Sequence, residues 1–109
     1  MTKKFDKAAL FAALKPKAAE VTVEGVGAVR IAQLSVAEVD AIRKLTEKDE
    51  AKKDLGLRFV IKAVVDEDGK PLFTDSDLED LRATSNTAME ALATEVLKHN
   101  GLLKDEAKN

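Results

Sequence analysis

Two short alternating runs stand close together early in the chain, with two glycines between them. Val21 and Val23 alternate with Thr22 and Glu24, and Val29 and Ile31 alternate with Arg30 and Ala32. Alternation at period two sends the large apolar side chains of each run to one face of a strand. Gly25 and Gly27 sit where the chain must reverse, and glycine supplies the positive φ that a tight hairpin turn uses. A β-hairpin over residues 21–33 follows, and an antiparallel sheet with it. The chain has 109 residues, the length of one ordinary domain. Its only aromatic residues are four phenylalanines, so the core must rest on Val, Leu, Ile and Ala.

Around the hairpin the pattern is mostly helical. Phe5, Leu10, Phe11 and Leu14 fall at amphipathic spacing, which predicts a helix over residues 4–14 that ends before Lys15-Pro16. The segment begins with lysines and is alanine-rich, as a signal peptide would be. Asp6 and Lys7 interrupt it, and a surface helix is expected instead. Ser35 with Glu38 three residues on predicts a capping box, followed by the apolar stripe Val36, Val39, Ile42 and Leu45. The charged stretch from Thr46 to Asp54 is expected to continue that helix for a turn or two and then loop before Gly56. Residues 57–65, Leu-Arg-Phe-Val-Ile-Lys-Ala-Val-Val, are read as the strongest strand. Leu57, Phe59, Ile61, Ala63 and Val65 would lie on one face, with Arg58, Val60, Lys62 and Val64 on the other. Leu72-Phe73 is expected to form a short edge strand after Pro71. Thr74 would then cap a helix weakened near Thr84–Thr87 and stopped at Asn100-Gly101, with Leu102 closing its end. The fold class expected is α+β, a small antiparallel sheet of three or four strands with helices packed on one face. It occupies residues 1–102, and residues 103–109 form a charged disordered tail.

The acid-rich stretch from Asp66 to Asp80 invites a metal reading. A calcium loop requires glycine at its sixth position and glutamate at its twelfth. Counted from Asp66 these are Pro71 and Asp77, and counted from Asp75 they are Asp80 and Asn86, so both registers fail. Asp66, Glu67 and Asp68 fit a turn at Gly69. Asp75, Asp77, Glu79 and Asp80 fit a helix start, where the helix dipole favours negative charge.

Other chemistry finds few side chains to use. The chain has no cysteine and one histidine, His99, so it builds neither a Cys–His pair nor a zinc set. Neither GxGxxG nor GxxxxGK[ST] occurs. The net charge of −2 gives no attraction to a phosphate backbone, which argues against nucleic acid. No apolar run approaches the ~20 residues of a membrane span. No catalytic, cofactor-binding or metal-binding residue is expected, and the expected function is non-enzymatic binding or assembly.

The order of these features carries a resemblance. A charged helix leads to Val21–Ile42, then to Leu57–Leu81 with Asp66-Glu67-Asp68-Gly69 and Pro71-Leu72-Phe73-Thr74-Asp75, then to a long helix closing on Asn100-Gly101-Leu102. Over residues 19–103 this resembles the tail assembly chaperone family of long-tailed bacteriophages and prophages. In that family the first hairpin often carries a tryptophan or tyrosine. Gly25-Val26-Gly27 stands there in this chain, so the aromatic's role does not transfer. The resemblance implies a chaperone that binds and solubilises the tape measure protein and helps recruit tail tube (major tail) protein subunits. It would work in the host bacterial cytoplasm, be absent from the mature virion, and have a homo-oligomer as a further form. The competing expectation is a small virion structural protein, a tail or head–tail connector subunit. The partner-binding surface is expected on the helices near 35–47 and 75–99, where Ala37, Ala41, Ala88, Ala91 and Ala93 flank the apolar stripes. Small side chains there would admit a partner helix closely, and Ala91 is expected to be exposed.

Overall fold

The computed structural model describes residues 6–48 and 54–102. Helix α1 covers Lys7–Ala13 and starts on Asp6, whose carboxylate accepts the backbone N–H of Ala9 at 2.8 Å. The same aspartate that breaks a signal-peptide reading is thus the helix cap. Strands β1, Ala18–Val23, and β2, Gly27–Ala32, form the expected hairpin, with Val21 opposite Val29 and Ala19 opposite Ile31. Gly25 and Gly27 have φ of 82° and 117° in its turn.

Helix α2, Val36–Leu45, begins with the complete capping box. Ser35 Oγ accepts from Glu38 N at 3.1 Å, and Glu38 Oε1 accepts from Ser35 N at 2.9 Å. It stops at Leu45 rather than continuing into the charged stretch. The hydroxyl of the buried Thr46 donates to the carbonyl of Ile42 at 2.8 Å and closes the last turn. Residues 49–53 of that stretch lie outside the described residues, as does the expected disordered tail 103–109.

The strand expected over 57–65 is a helix. Helix α3 runs Leu55–Ala63, and only Val64-Val65 is extended, forming β3. β3 joins β2 antiparallel, Arg30 opposite Val65 and Ile31 opposite Val64, so the sheet order is β1-β2-β3. Arg58 and Lys62 are four residues apart, which suits one side of a helix as well as one side of a strand. Burial decides between them. Phe59, Val60, Ile61 and Ala63 are all buried, so the apolar residues must point in several directions and not to one face. The helix propensity lost at Phe59, Val60 and Ile61 is at most about 2 kcal/mol in total. Burying each of those side chains is worth about 1.5–3 kcal/mol. Tertiary burial therefore outweighs local preference.

Leu72-Phe73 is not a strand either. A single bridge joins Val65 to Pro71, and Leu72 N donates to the carbonyl of Val64 at 3.1 Å. Pro71 brings no N–H, and the chain must turn at once into the helix cap at Thr74. There the Asp77 carboxylate accepts from Thr74 N at 2.8 Å, and a 3-10 turn over Asp75–Asp77 leads into α4, Leu78–Arg82. The expected break follows. Ser85 caps α5, Asn86–His99, with its hydroxyl accepting from Ala88 N at 3.2 Å. α5 ends as expected too: Leu102 N reaches Leu97 O at 2.9 Å, Gly101 N reaches Lys98 O at 3.0 Å, and Gly101 has φ 69°.

The fold is thus α+β, with five α-helices and one three-stranded antiparallel sheet among the described residues. Val23, Ile31 and Val64 of the sheet meet Ile42 of α2, Phe59 and Val60 of α3, and Leu92 and Val96 of α5 in one core. Two ion pairs tie the helical layer together. Arg82 at the end of α4 pairs with Asp54 at the start of α3, and Arg58 lies 3.6 Å from Asp75.

Candidate functional site

The acid-rich stretch holds its own turns. Asp66 Oδ1 accepts from Asp68 N at 2.8 Å and Lys70 N at 2.9 Å, and Asp66 O accepts from Gly69 N at 3.0 Å. Asp77 serves the helix cap, and Asp75 faces Arg58. Their carboxylates point at their own backbone and at a cation, and no group of three His, Asp or Glu side chains converges on a metal position among the described residues. His99 is half-buried in the last turn of α5, and its Nε2 has no hydrogen-bond partner among the described residues.

The five alanines of the expected partner surface fall into two unlike settings. Ala37 and Ala41 are exposed on α2. Leu45 follows them at the same four-residue spacing and is exposed as well, and Val36 beside them is 80% exposed. Four-residue steps place Ala37, Ala41 and Leu45 in one stripe along the helix. This is an apolar strip on the outside of the molecule, flanked by Glu38, Asp40 and Lys44. Ala88 is half-buried at the start of α5. Ala91 and Ala93 pack against the core, which corrects the expectation for Ala91: it is a packing residue and not an exposed one. α5 lies between the sheet and α3 and is covered on two sides, so small residues on it serve internal contacts first.

Ala93 does reach a surface recess. A groove of about 370 Å3 lies between α3, α4 and α5, floored by Gly56, Leu57, Leu81, Met89 and Ala93. Asp54, Arg82 and Glu90 stand at its margin. Neither Ala37 nor Ala41 lines it. The expected surface is therefore two separate features, a convex strip on α2 and a concave groove on the α3–α5 side.

Two further apolar surfaces lie outside the expected partner surface. One is a groove of about 630 Å3 beside the start of β2, which the two-residue β3 does not reach, where Val26, Ala28, Val65, Leu72 and Phe73 meet. The other is α1, none of whose residues is buried. Val26 between two glycines and Leu72 directly after Pro71 were the available signals. A large aliphatic residue at a turn tip has no core face to turn to.

Nothing in these features assembles a nucleophile, a base and an oxyanion donor set. Among the described residues no helix is long and apolar enough to cross a membrane. No protein-family model matches the chain, and no curated protein or solved structure matches it either.

Proposed function

We propose that this chain is a non-enzymatic tail assembly chaperone. It binds and solubilises the tape measure protein and helps recruit tail tube subunits during assembly in the host bacterial cytoplasm, and it is left out of the mature virion. The observation that carries this reading is the exposed apolar strip Val36, Ala37, Ala41 and Leu45 on α2, a helix otherwise covered with charge. Such a strip accepts an amphipathic partner helix side by side, with the alanines allowing close approach. The partner comes from the order of motifs that resembles the family. A tape measure chain presents amphipathic helix over a great length, and exposed apolar helix aggregates unless covered. The strip lacks Trp and Tyr, the residues that anchor tight interfaces, which suits a contact that must be released when the tube forms.

Co-expression tests it. The tape measure protein should be mostly insoluble alone and soluble beside this chain. Ala41→Glu, on the exposed face of α2, should weaken that rescue while leaving thermal unfolding unchanged. Mass spectrometry of mature tails should find none of this chain. A tape measure protein that stays insoluble beside wild type, or this chain present stoichiometrically in finished tails, overturns the reading.

A further inference from the structure

Helix α5 ends on Asn100-Gly101, and this pair has a chemistry of its own. The backbone nitrogen after an asparagine attacks the side-chain carbonyl carbon and closes a five-membered succinimide ring. Glycine offers the least hindered nitrogen, because no side chain stands beside it. The new bond joins Gly101 N to Asn100 Cγ. The Cγ–Nδ2 bond breaks, and the amide leaves as ammonia with the proton that Gly101 N gives up. Water then opens the ring. Attack at Cγ yields aspartate, and attack at the main-chain carbonyl yields isoaspartate.

The fold holds each of these groups away from reaction. At ψ 5° the Gly101 nitrogen is eclipsed with the backbone nitrogen of Asn100, whereas ring closure needs it eclipsed with Cβ. The Gly101 N–H is engaged with Lys98 O at 3.0 Å. The Asn100 side chain is pinned at both ends, its Oδ1 accepting from Leu34 N and its Nδ2 donating to Ala32 O and Val96 O. Leu102 packs against the core directly after the pair. Reaction therefore requires the end of α5 to lift off the exit of β2, a local opening and not a global one.

The product does not fit the closed joint. Aspartate keeps an acceptor for Leu34 N, but it sets a second carboxylate oxygen where Nδ2 stood, facing the carbonyl oxygens of Ala32 and Val96 with no proton to give them. Isoaspartate adds a methylene to the main chain before Gly101. That displaces Gly101 N and Leu102 N from Lys98 O and Leu97 O, the two bonds that finish the helix.

We propose that Asn100-Gly101 is a deamidation site gated by the fold, and that its reaction latches the joint between the hairpin and α5 open. A closed chain is protected. A chain whose α5 end has opened is converted, and the converted chain recloses less well. The change runs one way, because the ammonia is lost to solvent. Asn86 provides the contrast within the same chain: Thr87 follows it, and a branched side chain hinders the same attack. This inference stands independently of the chaperone reading.

Peptide mapping by mass spectrometry at neutral pH tests it on the full chain, folded and in urea. In urea Asn100 should deamidate well ahead of Asn86. In the folded chain Asn100 should be slower than in urea by about tenfold or more, the factor set by an opening cost of about 1.4 kcal/mol. Leu102→Ala weakens the packing that seats the helix end and leaves the Asn-Gly pair intact. It should speed deamidation of the folded chain and leave the rate in urea unchanged. If Leu102→Ala does not fold, wild type in urea below its unfolding midpoint replaces it, where deamidation and hydrogen exchange at Leu34 should rise together. The deamidated chain, separated by its added negative charge, should exchange Leu34 faster than the unreacted chain. Four results each overturn the inference: Asn100 no faster than Asn86 in urea, a folded chain that deamidates as fast as the unfolded one, a deamidation rate that stays fixed while Leu34 exchange rises, or a deamidated chain with unchanged Leu34 exchange.

Discussion

The hairpin of β1 and β2 and the helix α3 are both rich in β-branched side chains broken by single charges. In the hairpin the polar residues recur every second position, as Glu20, Thr22 and Glu24, and glycines bound the turn. In α3 they recur every fourth, as Asp54, Arg58 and Lys62, with no glycine or proline between Leu57 and Val65. A spacing of two fits only a strand, whereas a spacing of four fits a strand or a helix. The residue midway between the charges separates the two. Val60 would share the Arg58 side of a strand, but it is completely buried in α3. The lesson is that a valine-rich run without polar residues at every second position is a buried element of either kind, and the room around it decides which.

A charge placed midway between the polar positions separates the two elements. Val60→Asp should cost about 3 kcal/mol or more, through an unpaired charge in the core. That is a large share of the total stability of an ordinary domain, about 5–15 kcal/mol. Thr22→Asp, between the polar positions of β1 on the exposed outer face, should shift the denaturant midpoint only slightly. Equal and small effects at both positions would mean that residues 57–65 are extended after all.

What was legible in the sequence follows from how local each signal is. The hairpin, the Ser35 capping box, the break before Asn86 and the Gly101 helix end rest on contacts within a few residues, and each stands where its residues put it. The type of α3 rests on α5 and the other helices packed against it, which no window of nine residues contains. The surface was legible in part for the same reason. Ala37 and Ala41 stay exposed because α2 has one free side, whereas Ala91 and Ala93 pack against the core because α5 lies between two layers. The groove beside β2 needed residues 26–30 and 64–73 brought together, and only the fold does that.

Asn100 joins the hairpin to the helical layer. In the sequence Asn100 reads only as a helix stop. Its Oδ1 accepts the backbone N–H of Leu34 at 2.6 Å, while its Nδ2 donates to Ala32 O at 3.3 Å and Val96 O at 2.9 Å. One side chain thus fastens the exit of β2 and the entry to α2 onto the end of α5. Asn100→Ala leaves the partly buried Leu34 N–H unpaired and should cost about 1–3 kcal/mol, read from chemical denaturation. Asn100→Asp keeps the acceptor for Leu34 and should recover part of that loss. Hydrogen exchange at Leu34 should accelerate in the alanine variant and much less in the aspartate one. If Leu34 exchanges alike in both, the hairpin and the helices are held together by the core alone.

The smallest effect is also a contrast of sign. Gly27 opens β2 at φ 117°, a conformation that costs a side chain about 1–2 kcal/mol. A Cβ there meets nothing within 4 Å, so any loss on Gly27→Ala comes from the backbone and not from a clash. Gly56 sits in the first turn of α3 with ordinary helical dihedrals, where glycine is the weaker helix former by about 0.5–1 kcal/mol. A Cβ at Gly56 would meet Ala93 Cβ at 3.4 Å, the near edge of normal van der Waals contact. The same glycine-to-alanine change should therefore destabilise the hairpin and stabilise the helix. Gly27→Ala is expected to lower the thermal midpoint, and Gly56→Ala to raise it by the few degrees that about 0.5 kcal/mol gives a domain of this size. The second sign carries the information. If Gly56→Ala destabilises, α3 and α5 are pressed together more closely at Ala93 than 3.4 Å allows, and the glycine is there for that approach. If it stabilises, the contact with Ala93 leaves room for a methyl group, and position 56 gains from a better helix former.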